Sequence, residues 1–344
     1  MKNRPKRITI ADIAREAGVS AMTVSRVINH SRDVSDKTRQ KVEGIIEQFD
    51  FHPSSIARRM TGKVNKALCI LSEKDGLKKS IHSITFDSEM LRLLVVEGSR
   101  HGYRIVISAT EYANGKKQDF EKLASEGSVF GFILLDLIDH DPRLDVLKEL
   151  GVPVVLLGRT FTPFDNFYAV GTNDELGGYS ATEYLIRQGR KKIAFLCFQT
   201  FSKPAIDRLN GYKSALGKHH LPVDDSLICF YFRMTEEISG YEGMKQVLNT
   251  NVPDAVFCTS DLRAIGAIRA IREAGFKVPE DIAVIGFDGH PMAELYNIPI
   301  TTIQQPFLQM AEHTVDIFNR LERQESVTPK IVSLNGELIQ RNSA

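Results

Sequence analysis

Apolar residues recur at helical spacing near the start of the chain and predict two short helices joined by a tight turn. The apolar face of the first helix consists of four residues at i, i+3, i+4 and i+7: Ile10, Ile13, Ala14 and Ala17. Gly18 comes next and can end this helix with a positive φ. Thr9 and Ser20 precede the two helices, where their side-chain oxygens can cap free N–H groups. Two short helices around so tight a turn are typical of a helix-turn-helix unit.

A third helical pattern follows Ser35 and completes a small three-helix unit. Its apolar face has the same spacing, with Val42, Ile45, Ile46 and Phe49. A unit of this size needs only to hold one helix rigidly, and helix-turn-helix units insert that helix into the major groove of DNA. The polar face of the second helix consists of Ala21, Met22, Thr23, Ser25, Arg26 and Asn29.

Arg26 is the most informative residue of that polar face. Its planar guanidinium can donate two hydrogen bonds to guanine O6 and N7, or it can bind a phosphate. Ala21 and Met22 are short or apolar, which suits contact with a thymine methyl group. The alternative is that Arg26 is an ordinary surface arginine, but the turn and the caps around it favour the DNA-binding interpretation.

The charge distribution supports this interpretation. The chain has a net charge of +1, but residues 1–63 carry 13 Lys and Arg against 7 Asp and Glu. The remaining residues carry 31 basic and 36 acidic side chains. A basic head on an acidic body indicates a head that binds a polyanion such as DNA.

A basic segment at residues 53–64 connects this head to the rest of the chain. Pro53 ends the third helix, and a short new helix is predicted from Ile56 to Met60. Met60 is a large apolar side chain in a polar segment, which a plain linker does not need. One interpretation is a tether, and the other is a helix that forms on DNA with Met60 as a minor-groove wedge. The candidate DNA contacts of this segment are Ser54, Ala57, Arg58 and Met60.

From residue 66 onward, short apolar runs alternate with helical patterns. Eight runs are predicted to be strands: ALCILS, RIVISA, GFILLD, PVVLLG, KIAFLCF, LICFYF, AVFCTS and IAVIGFD. Helices between such runs indicate parallel sheets that are covered on both faces. The segment FYAVGTNDELGG, residues 167–178, divides the eight strands into two groups of four. Two doubly wound parallel-sheet subdomains are therefore predicted, with a cleft where the carboxyl ends of their strands face each other.

The sequence contains no motif that predicts catalysis. A P-loop, a GxGxxG after a strand, HExxH and GxSxG are absent, and the nine histidines show no metal-ligand spacing. Buried, reduced thiols are expected for the four cysteines: Cys69, Cys197, Cys229 and Cys258. No apolar run is long enough for a membrane helix, and no signal-peptide core follows the basic start. We therefore expect a cytoplasmic protein that is not an enzyme and has no cofactor, metal or membrane partner.

Polar residues at strand ends are candidates for binding a small molecule in the cleft. Asp288 ends one predicted strand, Asp261 follows another, and Arg208 lies in the first turns of a helix. Phe86 and Asp87 occupy the corresponding loop of the first half. An aromatic ring, carboxylates and an arginine together can bind a hydroxyl-rich ring. The alternatives are a core phenylalanine and ordinary surface charges, and Asp261 can equally stabilise the N-terminus of its own helix.

Three motifs of the sequence resemble the LacI/GalR family of bacterial transcription regulators: TIADIAREAGVSAMTVSRVIN, VSDKTRQKV and HPSSIARRM. The resemblance extends to the C-terminus and so covers essentially the whole chain. It implies that Ala21, Met22 and Arg26 read bases. It also implies that Met60 stands where the family has a leucine lever that opens a central CG step. Methionine has a similar volume and more flexibility, so a wedge with weaker ordering is expected.

The resemblance also has implications for the body of the chain. It implies a fold like that of a periplasmic sugar-binding protein, in which the chain crosses the hinge three times. Arg208 matches the effector-binding arginine of the family's RxxG(Y/F) pattern, and Asp288 matches the first aspartate of its GFDD pattern. This sequence departs from the family at Gly289, where a second aspartate is usual, and at Asp87. It also has Ser260 followed by Asp261 where Asn-Asp is common, and a longer first-half loop, KDGLKKSIHSITFD.

The predicted fold is an all-α helix-turn-helix head at residues 1–52, a hinge at 53–64 and an α/β body at 65–344. Subdomain 1 is predicted at 65–170 and 300–324, and subdomain 2 at 171–299 and 325–344. The implied function is a repressor that binds a pseudo-palindromic double-stranded operator as a homodimer, associates with the nucleoid when DNA-bound, and responds to a carbohydrate effector. The alternatives are a pure sugar-binding protein and a regulator controlled by a protein partner through a vestigial cleft.

Overall fold

The computed structural model of the chain describes residues 10–28, 33–49, 66–73, 84–110, 119–135, 141–158, 167–197, 202–231 and 235–344. The helices are α1 Ile10–Ala17, α2 Ala21–Ile28, α3 Asp36–Gln48, α4 Ile84–Arg100, α5 Asp119–Ser125, α6 Pro142–Leu150, α7 Asp174–Arg187, α8 Lys203–Lys218, α9 Glu236–Thr250, α10 Asp261–Glu273, α11 Pro291–Leu295 and α12 Phe307–Glu322.

The strands follow in the same order along the chain. They are β1 Ala67–Glu73, β2 Arg104–Thr110, β3 Gly131–Leu134, β4 Val154–Leu157, β5 Tyr168–Thr172, β6 Ile193–Cys197, β7 Ile228–Phe230, β8 Ala255–Cys258, β9 Ala283–Asp288, β10 Thr301–Gln304, β11 Ile331–Leu334 and β12 Glu337–Ile339.

The three predicted helices of the head are confirmed. They enclose a small core in which Ile13, Ala17, Val24 and Val42 are fully buried. Gly18 separates α1 from α2 with a φ of 62°, the left-handed conformation that glycine adopts most readily. The predicted positions of the apolar face and of the turn therefore both agree with the structure.

The body contains two sheets whose strands are almost all parallel. The first has the order β11-β5-β4-β3-β1-β2, and the second has the order β12-β10-β9-β8-β6-β7. Only β12 runs antiparallel to its neighbour among the described strands, which places a reversed strand at the edge of the second sheet. Each sheet has an apolar core on both faces, as parallel sheets covered by helices require.

All eight predicted strands are present, but four others were missed. The segment predicted to be the break between the subdomains contains β5, which pairs with β4 in the first sheet. The other missed strands, β10, β11 and β12, are three or four residues long. Residues of β11 alternate between exposed and half-buried, and β12 has one exposed residue followed by two half-buried ones. Neither strand has the continuous buried apolar run that marks a central strand.

The strand pairing also corrects the predicted subdomain boundaries near the C-terminus. Residues 300–324 were assigned to the first subdomain, but β10 pairs with β9 in the second sheet. Residues 325–344 were assigned to the second, but β11 pairs with β5 in the first. The chain thus passes between the sheets three times, after β5, β10 and β11. Each crossing is only a few residues long, and the strands beside it are short. So few residues show no apolar pattern from which the subdomain boundary could be predicted.

Candidate functional site

The second helix of the head exposes three of the residues that are predicted to contact DNA, while Thr23 is half-buried. Ser20 caps α2, because its Oγ accepts a hydrogen bond from the Thr23 amide at 3.0 Å and also pairs with Thr23 Oγ1 at 2.9 Å. Ala21, Met22 and Arg26 are exposed, and Met22 retains 66% of its accessible surface. An apolar side chain this exposed at the start of a helix has no packing role in the head. The exposure therefore supports the prediction that this face meets a partner.

The remaining predicted DNA contacts are one residue on α2 and six residues outside the described part of the chain. Ser25 is half-buried on the same helix. Six residues lie outside the described part of the chain, and their roles stay predictions: Thr9, Asn29, Ser54, Ala57, Arg58 and Met60.

In the body, the carboxyl ends of the two sheets meet at the chain crossings. Thr172, at the end of β5, donates a hydrogen bond from Oγ1 to Gln305 Oε1 at 2.6 Å. Gln305 follows β10, and its Nε2 donates to Asp288 Oδ1 at 2.7 Å. Asp288 ends β9 in the second sheet. A buried chain of three polar side chains therefore links the first sheet to the predicted effector contact Asp288.

Asp288 has an unusual backbone and an unusual environment. Its φ is 111°, a conformation that residues other than glycine rarely adopt and that clusters at functional sites. Burial raises the pKa of Asp288 to about 6, although the nearby Arg208 guanidinium acts in the opposite direction. Gly289 follows with a φ of 76°, and a Cβ there would lie 2.7 Å from Gln304 Cγ. This packing accounts for glycine where the family usually has a second aspartate.

Arg208 is held firmly at the same edge of the second sheet. Its Nε donates to Asp174 Oδ1 at 2.8 Å, and its Nη1 donates to the Thr259 carbonyl oxygen at 2.6 Å. The guanidinium carbon lies 3.6 Å from the centre of the Phe287 ring. Burial alone would lower the pKa of Arg208, but the carboxylates of Asp174 and Asp288 raise it above its ordinary value. The structure thus brings Arg208 and Asp288 together, as predicted.

Close helix packing fixes the position of Arg208. A Cβ on Gly178 of α7 would lie 2.3 Å from the Arg208 carbonyl oxygen, and a Cβ on Gly211 of α8 would lie 2.0 Å from the Glu175 carbonyl oxygen. The glycines let the two helix backbones touch, which fixes the helix that carries Arg208. The helices α9 and α10 touch in the same way, through Gly240 and Gly266.

The other predicted effector contacts have structural partners of their own. Asp261 is fully buried, and its Oδ2 accepts a hydrogen bond from the His290 amide at 2.6 Å. This contact anchors the loop after β9, which supports a structural role for Asp261 over direct ligand contact. Phe86 packs edge-on against Phe307 at 5.7 Å between ring centres, as a core phenylalanine does. Asp87 is half-buried beside it, and both residues lie in the first turn of α4 rather than in the predicted loop.

Sequence reasoning missed four polar residues that the structure places around Arg208 and Asp288: Asp174, Glu236, Arg263 and Gln305. Asp174 lies two positions after the end of β5, a strand that the apolar pattern does not show. A prediction of that strand would have identified Asp174 as a strand-end residue. Glu236 and Arg263 lie in the first turns of α9 and α10, where charged residues are common and usually exposed.

A groove of about 580 Å³ opens between the two sheets near the crossings. From the side of the first sheet it is lined by Glu89, Arg92 and Leu93 of α4, and from the side of the second sheet by Gly289 and His290. The two subdomains therefore leave accessible space beside the Gln305 link. Within the described ranges, no helix is long and apolar enough to cross a membrane, and no group of three or more His, Cys, Asp or Glu side chains could hold a metal ion.

Two protein-family profiles match the chain. Residues 9–54 match the bacterial regulatory proteins of the lacI family, and residues 182–344 match the periplasmic binding protein-like domain. The first match covers most of the predicted head, and the second covers every strand of the second sheet together with β11 of the first. Together they agree with the predicted division into a helix-turn-helix head and a ligand-binding body.

Curated relatives match along nearly the whole chain. The chain is 32% identical over 342 residues to the ribose operon repressor of Escherichia coli (strain K12), which covers 98% of this chain and 99% of the relative. It is 30% identical over 342 residues to the HTH-type transcriptional regulator DegA of Bacillus subtilis (strain 168), which covers 98% of each. These relatives are regulators of transcription, which confirms the prediction that the chain is not an enzyme.

Solved structures show the same architecture. The complex of the transcriptional regulator CelR with cellobiose has a TM-score of 0.74 at 30% identity and covers 98% of this chain and 100% of its own. The lac repressor dimer bound to operator and the anti-inducer ONPF has a TM-score of 0.69 at 26% identity, covering 98% and 99%. The chain therefore belongs to the lacI family of bacterial regulatory proteins and is a DNA-binding regulator of transcription with a ligand-binding body.

Proposed function

We propose that the protein is a transcriptional repressor that binds a pseudo-palindromic operator as a homodimer and is controlled by a carbohydrate in the cleft between the subdomains. The observation that carries this proposal is the arrangement of Arg208 and Asp288. Asp288 is buried at the edge of the second sheet, the Arg208 side chain beside it is 12% exposed, and Asp288 is linked through Gln305 to Thr172 of the first sheet. A ligand that binds Asp288 therefore acts on a group that already connects the two subdomains.

Contact with DNA is assigned to the exposed face of α2. Arg26 is exposed and can donate two hydrogen bonds to a guanine, and Met22 and Ala21 lie one turn before it. Met60 remains our candidate for the minor-groove wedge of the hinge. Since the proposed target is chromosomal DNA, we place the protein in the bacterial cytoplasm.

A homodimer is supported by exposed apolar surface on the first subdomain. Val95 and Val96 on α4 keep 47% and 43% of their accessible surface, and Ile107 on the edge strand β2 keeps 52%. An unpaired edge strand with an apolar side chain tends to pair or to be covered. On the second subdomain, Leu295 of α11 is 77% exposed. A second copy of the chain that covers these surfaces would place two α2 helices in successive major grooves.

A carbohydrate effector is supported by both chemistry and similarity. A guanidinium stacked on Phe287 beside a buried carboxyl is suited to a ring that carries hydroxyl groups. Two of the similar proteins are named for sugars, a ribose operon repressor and a regulator in complex with cellobiose. The alternative of a protein-controlled regulator with a vestigial cleft predicts no such ordered set of buried polar contacts.

Closure of the cleft is the proposed link between effector and DNA. A ligand that contacts both subdomains stabilises one angle between them, and the differential affinity for the two angles sets how far DNA binding changes. The three crossings near Thr172, Gln305 and Leu334 are where the angle changes. The sign of the effect, induction or co-repression, depends on which angle allows the two heads to fit the operator.

Calorimetry of the full-length protein tests this function. The expected result is saturable binding of D-ribose, cellobiose or another neutral sugar, which Arg208→Ala abolishes. Thr250→Ala is a control, because Thr250 ends α9 and its hydroxyl donates only to the Gln246 carbonyl within the same helix. Binding of no sugar, together with unchanged operator affinity in Arg208→Ala, would favour the alternative of control by a protein partner.

A further inference from the structure

One end of the body lies next to the hinge, because β1 begins almost directly after it. The hinge is predicted at residues 53–64, and Lys66 immediately precedes β1. This end of the first sheet consists of the amino ends of parallel strands, so it lies opposite the carboxyl ends that meet at the crossings. We refer to this surface as the hinge end of the body, and it includes Lys66, Tyr103, Arg104, Glu322 and Arg323.

Lys66 is held at the hinge end by groups from two other elements. Its Nζ lies 3.2 Å from Glu322 Oε1, at the end of α12, and 5.8 Å from the centre of the Tyr103 ring. The Tyr103 hydroxyl donates a hydrogen bond to Glu322 Oε2 at 2.9 Å. The backbone amide of Arg104 donates to the Lys66 carbonyl oxygen at 2.6 Å. The point at which the hinge joins the body is therefore fixed relative to α12 and β2.

Two arginines at the hinge end have no partner of their own. Arg104 begins β2 and Arg323 follows α12, and both are exposed. Neither side chain forms an ion pair or a hydrogen bond with any residue that the structure describes. Several exposed arginines elsewhere in the body do pair with an acid: Arg92 with Glu89, Arg187 with Glu183 and Arg269 with Glu237.

The acids beside these two arginines already pair with other cations. Their ion pairs are those of Glu97 with Arg100 and His101, of Glu322 with Lys66 and of Glu325 with Arg320. Arg104 and Arg323 therefore leave positive charge at the hinge end. The body as a whole carries more acidic than basic side chains, so this end differs from the rest in its charge.

The hinge is short enough to keep this end of the body close to DNA. With Met60 in the minor groove, as proposed, the six residues from Met60 to Lys66 span at most about 20 Å when fully extended. The minor groove is about 7.5 Å deep, so the hinge end stays within roughly 12 Å of the phosphates at the rim of the groove. The Debye length is about 10 Å at 0.1 M salt, and a long arginine side chain shortens the remaining distance.

We propose that the hinge end of the body is an additional DNA-binding surface, at which Arg104 and Arg323 bind phosphates beside the hinge. This inference rests on the proposed binding of DNA through α2 and the hinge, and it extends the contact to the body. Arginine suits this role because it is always charged and donates several hydrogen bonds to phosphate oxygens. Phosphate contacts carry no base information, so this surface adds affinity and salt dependence rather than sequence preference.

The salt dependence of DNA binding tests this surface without any effector. Fluorescence anisotropy on the full-length protein would measure the Kd for the selected operator between about 50 and 200 mM salt. Arg104→Ala and Arg323→Ala should each lower the slope of log K against log salt by about 0.9 for each bound chain. The double variant should bind the operator at least about tenfold more weakly at about 100 mM salt. Its selected consensus sequence should stay that of wild type.

Arg272→Ala is the matched control. Arg272 is also exposed and has no ion pair or hydrogen bond from its side chain to the described residues. It lies in the last turn of α10, at the amino edge of the second sheet and so at the far end of the body. Arg272→Ala removes the same charge and should leave the salt slope unchanged. Equal slopes for Arg272→Ala and the two hinge-end variants would overturn the inference.

Lysine at both positions distinguishes a role of charge from a role in folding. Arg104→Lys combined with Arg323→Lys keeps the charge and should retain most of the wild-type slope. A lysine variant that loses as much affinity as the alanine variant, or an alanine variant that fails to fold, would show a structural role and overturn the inference. If the wild-type protein selects no DNA sequence, the proposed repressor function fails, and the inference fails with it. Absence of sugar binding alone would leave the inference intact.

Discussion

Single residues in this protein show their function by departing from what a stable fold needs. Met22 exposes two thirds of a large apolar side chain at the start of α2. Asp288 adopts a φ of 111° while it is buried. The folded chain gains nothing from either feature, so each indicates a residue retained for binding. Sequence reasoning identified both positions, because each stands at a boundary of a helix or strand that the apolar pattern had already placed.

Arg26 is expected to read a base. Arg26→Ala should weaken binding to the preferred operator by about 1–3 kcal/mol and relax base preference at one position in each half-site. Arg15 of α1 is the control, because its side chain is 77% exposed but lies on the helix that does not enter the groove. Selection from a random DNA pool followed by fluorescence anisotropy measures both effects. An unchanged consensus for Arg26→Ala would show that α2 does not read bases through this residue.

The pH dependence of stability follows from buried carboxyls whose pKa values burial raises, among them Glu236, Asp288 and Asp261. Burial raises the pKa of Glu236 from 4.5 to about 7 and that of Asp288 from 3.8 to about 6. Both groups hold their protons more tightly in the folded protein, so their contribution to stability is fully present below about pH 4 and is lost as pH rises through 6 to 7. The drop in melting temperature of the ligand-free protein between about pH 5 and pH 8 should be smaller in Glu236→Gln than in wild type. Equal drops would contradict the raised pKa of Glu236.

At the level of helices and strands, the sequence predicts best those strands that are buried on both faces of a sheet. The eight predicted strands are continuous apolar runs, because central strands of a parallel sheet are covered on both sides. The four strands that the apolar pattern does not show are short and lie next to the crossings, where Gln305 and its neighbours connect the two sheets. Arg208 and Asp288 could be predicted since they follow or end such runs. Glu236 and Arg263 could not, because a helical pattern does not show which first-turn charges are buried.

The contact between α7 and α8 should tolerate no side chain at Gly211. A Cβ there would lie 2.0 Å from the Glu175 carbonyl oxygen, so Gly211→Ala should separate the helices and lower the free energy of unfolding by about 1–3 kcal/mol. Gly217 lies on the same helix with nothing within 4 Å, so Gly217→Ala should be neutral or stabilise by up to about 1 kcal/mol. Thermal and urea unfolding measure both variants. A Gly211→Ala variant as stable as Gly217→Ala would show that the helices are not in close contact.

At the scale of the whole molecule, the charged side chains are divided between a basic head and an acidic body. Residues 1–63 carry nearly twice as many basic as acidic side chains, while the body carries an excess of acids. This separation directs the head toward DNA. The body consists of two sheets joined by three short crossings, and the Thr172–Gln305–Asp288 link lies at those crossings. A change of angle there moves the two ends of the molecule relative to each other.

The proposed dimer should depend on the exposed edge of the first sheet. Ile107→Asp places a charge on β2, where 52% of the isoleucine surface is exposed, and should weaken dimerisation by at least about tenfold. Val252→Asp is the control, because Val252 is also exposed, at 41%, but lies in the loop before β8 in the second sheet. Light scattering over a concentration series measures the dissociation. A dimer that Ile107→Asp leaves unchanged would show that the subunits associate through another surface.

The most direct test of the account is the affinity of the full-length protein for its selected operator with and without a neutral sugar. Fluorescence anisotropy at one salt concentration would be run with saturating D-ribose, cellobiose and other neutral sugars. The account predicts that at least one sugar changes the operator Kd by about fivefold or more. It also predicts that Arg208→Ala removes this change while keeping the sugar-free affinity. An operator Kd that no sugar alters, or a change that persists in Arg208→Ala, would contradict control of DNA binding through this cleft.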